Sequence, residues 1–93
     1  MKILANDGIS QNGITILENK GFEVITTKVA QNQLENFINE NSIDAILVRS
    51  ATQVRQELID ACPSIKLIGR GGVGMDNIDV EYAIDNGLHV INT

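Results

Sequence analysis

The sequence predicts an α/β domain built on a parallel sheet, and three observations lead there. Short runs of Ile, Leu, Val and Ala recur about every 20 residues and are apolar at consecutive positions, the pattern of strands buried on both faces. Between them lie segments with apolar residues at helical spacing, ended by glycine, asparagine or proline. Aromatic residues make up only 3% of the 93, so the core is aliphatic. Strand and helix alternating with right-handed crossovers then give a flavodoxin-like, doubly wound, five-stranded parallel sheet with helices on both faces.

Taken in order, Ile3 to Ala5 form the first strand, which stops at the turn cluster Asn6-Asp7-Gly8. Ser10 is placed to cap a helix to about Lys20, with Ile14 and Leu17 on one face and Gly21 just past its end. Phe22 to Thr26 read as the second strand. Leu34, Phe37 and Ile38 mark the buried stripe of a second helix that ends near Asn41-Ser42, and its Asn/Gln-rich remainder from Gln31 reads as a solvated face. Asp44 to Val48 are the third strand. Val54, Leu58 and Cys62 recur at helical spacing, so a third helix runs from about Gln53 to Ala61 and is closed by Pro63, with Thr52 available as its cap. Lys66 to Gly69 are the fourth strand. Asp79 can cap a short helix through Tyr82 to Asn86, Gly87 ends it, and Leu88 to Ile91 form the fifth strand.

Composition narrows the function. At 43% hydrophobic and 20% charged, the chain is a single folded domain, and no second domain fits in its length. A formal net charge of −5 with no basic patch argues against nucleic acid and against an anionic membrane surface. No apolar run approaches the roughly 20 residues of a membrane span, and the residues after Met1 are too short for a signal-peptide core. One cysteine, Cys62, forms no internal disulfide, and no His/Cys cluster has metal-ligand spacing, so the expected home is a reducing cytoplasm. Cys62 itself reads as a small buried hydrophobe near a helix end.

Ligands of open parallel sheets gather outside the carboxyl ends of the strands, so those ends are where chemistry is sought. The chain has three arginines, and two of them, Arg49 and Arg70, stand at the ends of the third and fourth strands of an acidic molecule. Each alone reads as a solvent-facing arginine; together they point to a small, multiply anionic ligand. Ser50 and Thr52 follow Arg49 just ahead of a helix, where hydroxyls and free N–H groups can converge on an anion. Four of the eight glycines fall within Gly69-Arg70-Gly71-Gly72-Val73-Gly74. That run matches G-x-G-x-x-G and has three readings: a dinucleotide pyrophosphate loop, a purely structural turn, or a cradle in which the amides of Gly71 to Gly74 meet a carboxylate or phosphate. The first needs a helix opening on the third glycine, and Met75 to Asp79 intervene. Asp76 and Asp79 read as turn and capping groups. His89, the only histidine, lies in a strand without an acidic or nucleophilic neighbour, so no catalytic residue is assigned.

Three segments carry a family resemblance: Ile46-Leu47-Val48-Arg49-Ser50-Ala51-Thr52-Gln53-Val54, then Leu67 through Asp79 around the glycine run, and Gly87-Leu88-His89-Val90-Ile91-Asn92-Thr93. Together they resemble the N-terminal substrate-binding segment of the D-isomer-specific 2-hydroxyacid dehydrogenases, over the whole of the 93 residues. The resemblance implies an NAD-dependent oxidoreductase acting on a CH–OH group, whose Rossmann domain and catalytic Arg, Glu and His lie outside this chain, so that these residues alone are inactive. It implies that Arg49 and Ser50 hold the substrate's phosphate or carboxylate, that Arg70, Gly71 and Gly72 line the substrate pocket, and that Val73 reaches the nicotinamide end of an NAD held mainly by the other domain. The implied ligand is a small phosphorylated 2-hydroxy acid, and the implied parent is a homo-oligomer. The alternatives are a family member for glycerate, glyoxylate or lactate, and a non-enzymatic flavodoxin-like or receiver-type module. A receiver requires a phosphorylatable aspartate where the third strand here ends in Arg49.

Overall fold

The computed structural model describes residues 1–49, 51–71 and 77–92, the last by its backbone. Five strands, β1 (Lys2–Ala5), β2 (Glu23–Ile25), β3 (Ala45–Val48), β4 (Leu67–Arg70) and β5 (His89–Asn92), pair in parallel in the order β2-β1-β3-β4-β5. The helices are α1 (Gln11–Asn19), α2 (Leu34–Asn41) preceded by a 3₁₀ turn (Gln31–Gln33), α3 (Gln56–Ala61) and α4 (Val80–Asp85). The strand order is the flavodoxin-like one that the sequence predicts.

Register explains where the core sits. Leu4, Ile46 and Ile68 fall opposite one another across β1, β3 and β4, and all three are fully buried. They pack with Leu34 and Ile38 of α2, Ile59 of α3 and Ala83 of α4, so those three helices cover one face. The next residues along, Ala5, Leu47, Gly69 and Ile91, form a row on the opposite face. There α1 packs beside β2 and touches none of the other helices. This second face is therefore thinly covered: Ile91 is 44% exposed and Ile16 of α1 48%.

Local chemistry sets most helix ends. Ser10 caps α1 through its Oγ, which accepts from Gly13 N–H at 3.1 Å. Gly21 and Gly87, at φ +91° and +85°, lie just past the ends of α1 and α4, in the left-handed region that a side chain would strain. Cys62 closes α3, is 1% exposed, and burial followed by the charge of Glu35 pushes its thiol up to about 11. The start of α3 differs from expectation. Thr52 does not cap it, and the helix opens at Gln56 instead of about Gln53. Val54 is diverted into a parallel bridge with Ile78, and the Gln56 N–H is taken by the Asp79 carboxylate at 2.8 Å. Asp79 precedes α4 but makes no side-chain cap for it; two residues distant in sequence, Arg55 through Nη1 and Gln56 through its N–H, claim its oxygens. Gln31 is likewise more than solvated surface, since its amide pairs with the backbone N–H and C=O of Gln53.

Candidate functional site

Three polar side chains organise the carboxyl end of the sheet. Asn6, 3% exposed at the end of β1, mimics a strand for Val29: its Oδ1 accepts from Val29 N–H at 2.7 Å and its Nδ2 donates to Val29 C=O at 3.0 Å. The same Nδ2 donates to Thr52 Oγ1 at 2.9 Å, and that hydroxyl in turn donates to Asp7 at 2.6 Å. Asp7 also accepts from Arg49 N–H at 2.7 Å and Thr52 N–H at 3.0 Å, and pairs with Lys28 Nζ at 2.7 Å. Burial alone would push the Asp7 pKa up. The hydrogen bonds from Lys28, from the Thr52 hydroxyl and from the two backbone N–H groups outweigh it and hold the carboxyl well below the usual carboxylate range.

This arrangement corrects one expectation. The N–H groups and the Thr52 hydroxyl that follow β3 do form an anion nest, but the anion it holds is the protein's own Asp7 carboxylate. Thr52, 2% exposed, is thereby withdrawn from any ligand. What the nest leaves outward is the Arg49 side chain, exposed and with no hydrogen-bond partner for its guanidinium among the described residues.

The third organiser is Asn77, on the far side of the glycine run. Its Nδ2 donates to the carbonyls of Arg49 and Thr52, both at 2.6 Å, and its Oδ1 accepts from Arg70 Nε at 2.9 Å. Backbone bonds from Val54 N–H to Asn77 C=O and from Asp79 N–H to Val54 C=O, each 2.9 Å, sew the two loops together. Arg70 itself, half-buried, also donates from Nη1 to Gly71 C=O at 3.2 Å. Among the described residues no buried side-chain N or O lacks a partner.

The sheet brings Arg49 and Arg70 to neighbouring strand ends, because Val48 pairs with Arg70 and Arg49 is the next residue. Register puts Arg70 on the Val48 side of the sheet, while Arg49 lies one residue beyond the end of β3. Gly71, held to Val48 C=O through its N–H at 3.0 Å, continues the rim. Arg49, Arg70 and Gly71 border a hollow of about 340 Å³ whose floor is Leu47, Gly69 and Ile91 of the thinly covered face and whose far wall is Ile9 and Leu17. A Cβ on Gly69 would stand 2.6 Å from Leu47 Cδ2, so the floor is kept low by the missing side chain. A hollow of similar volume at the opposite end, among Cys62, Pro63, Lys66 and Leu88, holds only one cation and an inert thiol. Ser50, Gly72, Val73 and Asp76 lie outside the described residues.

The dinucleotide reading of the glycine run does not fit. Gly69 is inside β4, α4 is a six-residue helix opening only at Val80, and the acid Asp79 stands at its mouth where a pyrophosphate would be repelled. His89 begins β5, at the opposite end of the sheet from Arg70, so it is no general base for a ligand at the strand tips. Among the described residues there is no group of His, Cys, Asp and Glu able to hold a metal ion, and no helix is long and apolar enough to cross a membrane.

Known proteins resemble this chain in sequence and in fold. Residues 3–93 match the family described as D-isomer specific 2-hydroxyacid dehydrogenase, catalytic domain. The chain is 39% identical over 92 residues to the D-3-phosphoglycerate dehydrogenase of Methanocaldococcus jannaschii, a match covering 99% of this chain and 17% of that protein. It is 37% identical over 93 residues to the hydroxypyruvate reductase of Thermotoga maritima, covering 99% of this chain and 30% of the relative. Its fold superimposes with a TM-score of 0.82 and 31% identity on the NAD+-bound 3-phosphoglycerate dehydrogenase of Entamoeba histolytica, covering 100% of this chain and 32% of that one. The chain thus spans less than a third of the length of these relatives. With the match running from Ile3 to its last residue, this chain belongs to the D-isomer-specific 2-hydroxyacid dehydrogenase family.

Proposed function

We propose that these 93 residues are the substrate-binding segment of an NAD-dependent D-3-phosphoglycerate dehydrogenase, which oxidises 3-phospho-D-glycerate at C2 to 3-phosphohydroxypyruvate at the entry to L-serine synthesis. The observation that carries the reading is the pairing of β3 with β4, which sets two of the chain's three arginines on neighbouring strand ends. A substrate with a phosphate at one end and a carboxylate at the other has two anionic groups to place, and Arg49 and Arg70 approach the strand tips from staggered positions. In this reading Ser50 joins Arg49 on one anionic group, Gly71 and Gly72 line the pocket beside Arg70, and Val73 reaches toward the nicotinamide. The remainder of the parent protein holds the NAD and supplies the base that takes the hydroxyl proton. This chain contributes positioning and charge neutralisation, and by itself forms no NADH. The parent works as a soluble cytoplasmic homo-oligomer.

The identity to a hydroxypyruvate reductase favours one rival, a family member whose substrate lacks the phosphate. One experiment separates the two. Arg49→Ala and Arg70→Ala in the parent protein are assayed in the reduction direction against phosphohydroxypyruvate and hydroxypyruvate. Each removes a charge-assisted contact of about 1.5 to 3 kcal/mol, so kcat/KM for the phosphorylated substrate should fall roughly 10- to 150-fold in both variants, and for hydroxypyruvate far less in whichever variant lacks the phosphate's arginine. Arg49→Lys should recover only part, because an ammonium lacks the planar fork. Equal losses on both substrates would show that neither arginine reads a phosphate and would favour the rival.

A further inference from the structure

We propose that Asn77 is a positioning residue that locks both arginines into one frame and so sets the distance between the two anionic groups the site accepts. The proposal rests on the reading of Arg49 and Arg70 given above. Asn77 is the one described side chain bonded to both arginine segments: to the carbonyls of Arg49 and Thr52 through Nδ2, and to the Arg70 guanidinium through Oδ1. Only a primary amide does this. Carbonyls take only donors and a guanidinium offers only donors, so the side chain must present two N–H groups and an acceptor from one planar group, and its orientation is fixed by its partners. Aspartate keeps the acceptor for Arg70 but turns an oxygen toward two carbonyls; serine reaches neither side fully.

Asn77 is 9% exposed, and its own backbone is held by Val54 N–H at 2.9 Å, so the amide projects from a fixed base. On the other side, Asp7 grips Arg49 N–H while Asn77 grips Arg49 C=O. The Arg49 peptide units are thus clamped from both directions, leaving its side chain as the part that answers to ligand. Arg70 is oriented through Nε, which leaves the guanidinium plane set relative to the Arg49 loop instead of to solvent.

The test uses the full-length parent enzyme carrying Asn77→Ser or Asn77→Asp, with phosphohydroxypyruvate and hydroxypyruvate as substrates. Misaligning Arg70 weakens a charge-assisted contact to the bound substrate, so KM for phosphohydroxypyruvate should rise about tenfold or more. For a positioning role, kcat and the KM for hydroxypyruvate should stay within about threefold. In an Arg70→Ala background, Asn77→Ser should add clearly less than it costs alone, because the contact to Arg70 is already gone and only the bonds to the Arg49 loop remain to be lost. Equal KM increases on both substrates would overturn the proposal, as would full additivity with Arg70→Ala. Loss of cooperative melting in both variants would also overturn it, by making Asn77 a plain structural residue. The underlying reading fails separately, when the arginine variants themselves do not discriminate between the substrates.

Discussion

Replacing Asp7 with asparagine keeps its shape and removes its charge, which makes Asp7→Asn the sharpest probe of the nest behind β3. The side chain is 4% exposed and accepts four hydrogen bonds, two to each oxygen. An amide can keep its oxygen toward the N–H groups of Arg49 and Thr52, but its NH2 then faces the Lys28 ammonium and the Thr52 hydroxyl. That hydroxyl already accepts from Asn6, so its proton loses its acceptor. A buried hydroxyl left unpaired costs about 1 to 3 kcal/mol, and losing the charge weakens the two backbone bonds by about 1 more, for a total of about 2 to 4. The Lys28 pair adds little, since Lys28 is 59% exposed. For a domain of this size the melting temperature should drop about 10 to 25 °C, read by circular dichroism at pH 7.

The same substitution has a pH signature. The folded pKa of Asp7 lies below its unfolded value of about 3.9, so its contribution is complete above that value and is lost as pH falls toward the folded one. Linkage then removes about 1.3 kcal/mol of the wild-type advantage between pH 6 and pH 3. The gap between wild type and Asp7→Asn should narrow by that amount over this window. A gap that stays constant, or a variant within about 0.5 kcal/mol of wild type at pH 7, refutes the reasoning.

Two further outcomes follow from the geometry. Cys62, buried and with its thiol raised to about 11, should resist a chromogenic disulfide reagent in the folded protein at pH 8 and react promptly in denaturant; rapid native labelling would show that α3 frays. Gly69→Ala should cost only about 1 kcal/mol by thermal melting, because the new Cβ meets the movable end of Leu47 on the thinly covered face, and a loss above about 3 kcal/mol would mean that face is closed.

The fold was legible because its signals are local. Ser10 finds its partner three residues on, and the positive φ of Gly21 and Gly87 follows from helix ends visible in the sequence. Buried parallel strands betray themselves by runs such as Ala45 to Val48. The placement of Arg49 and Arg70 on neighbouring strand ends was legible too, since parallel pairing brings carboxyl ends together. What escaped were side chains whose partners lie far along the chain. Thr52 satisfies every rule for a cap but answers to Asp7, 45 residues earlier. Asp79 answers to Gln56, 23 residues earlier, and so fixes the start of a helix it does not precede. Asn77 bonds the carbonyls of Arg49 and Thr52, 28 and 25 residues back. The available signal was faint: Asn6 and Asp7 at a strand end, and Asn77 just after the glycines, are short polar residues at turns, where such side chains ordinarily serve the turn's own backbone.

Those long separations also fix when the site comes into being. Asp7 cannot reach Thr52 until β1 lies beside β3, and Asn77 cannot reach Arg49 until β4 has joined them, so each bond closes a loop whose entropy must already have been met by strand pairing. A chain with its helices formed and its sheet incomplete would have a nearly native helical spectrum and no aligned arginines. In refolding, helical signal should therefore recover ahead of the anion binding proposed for the two arginines, and the lag between them times the docking of β4.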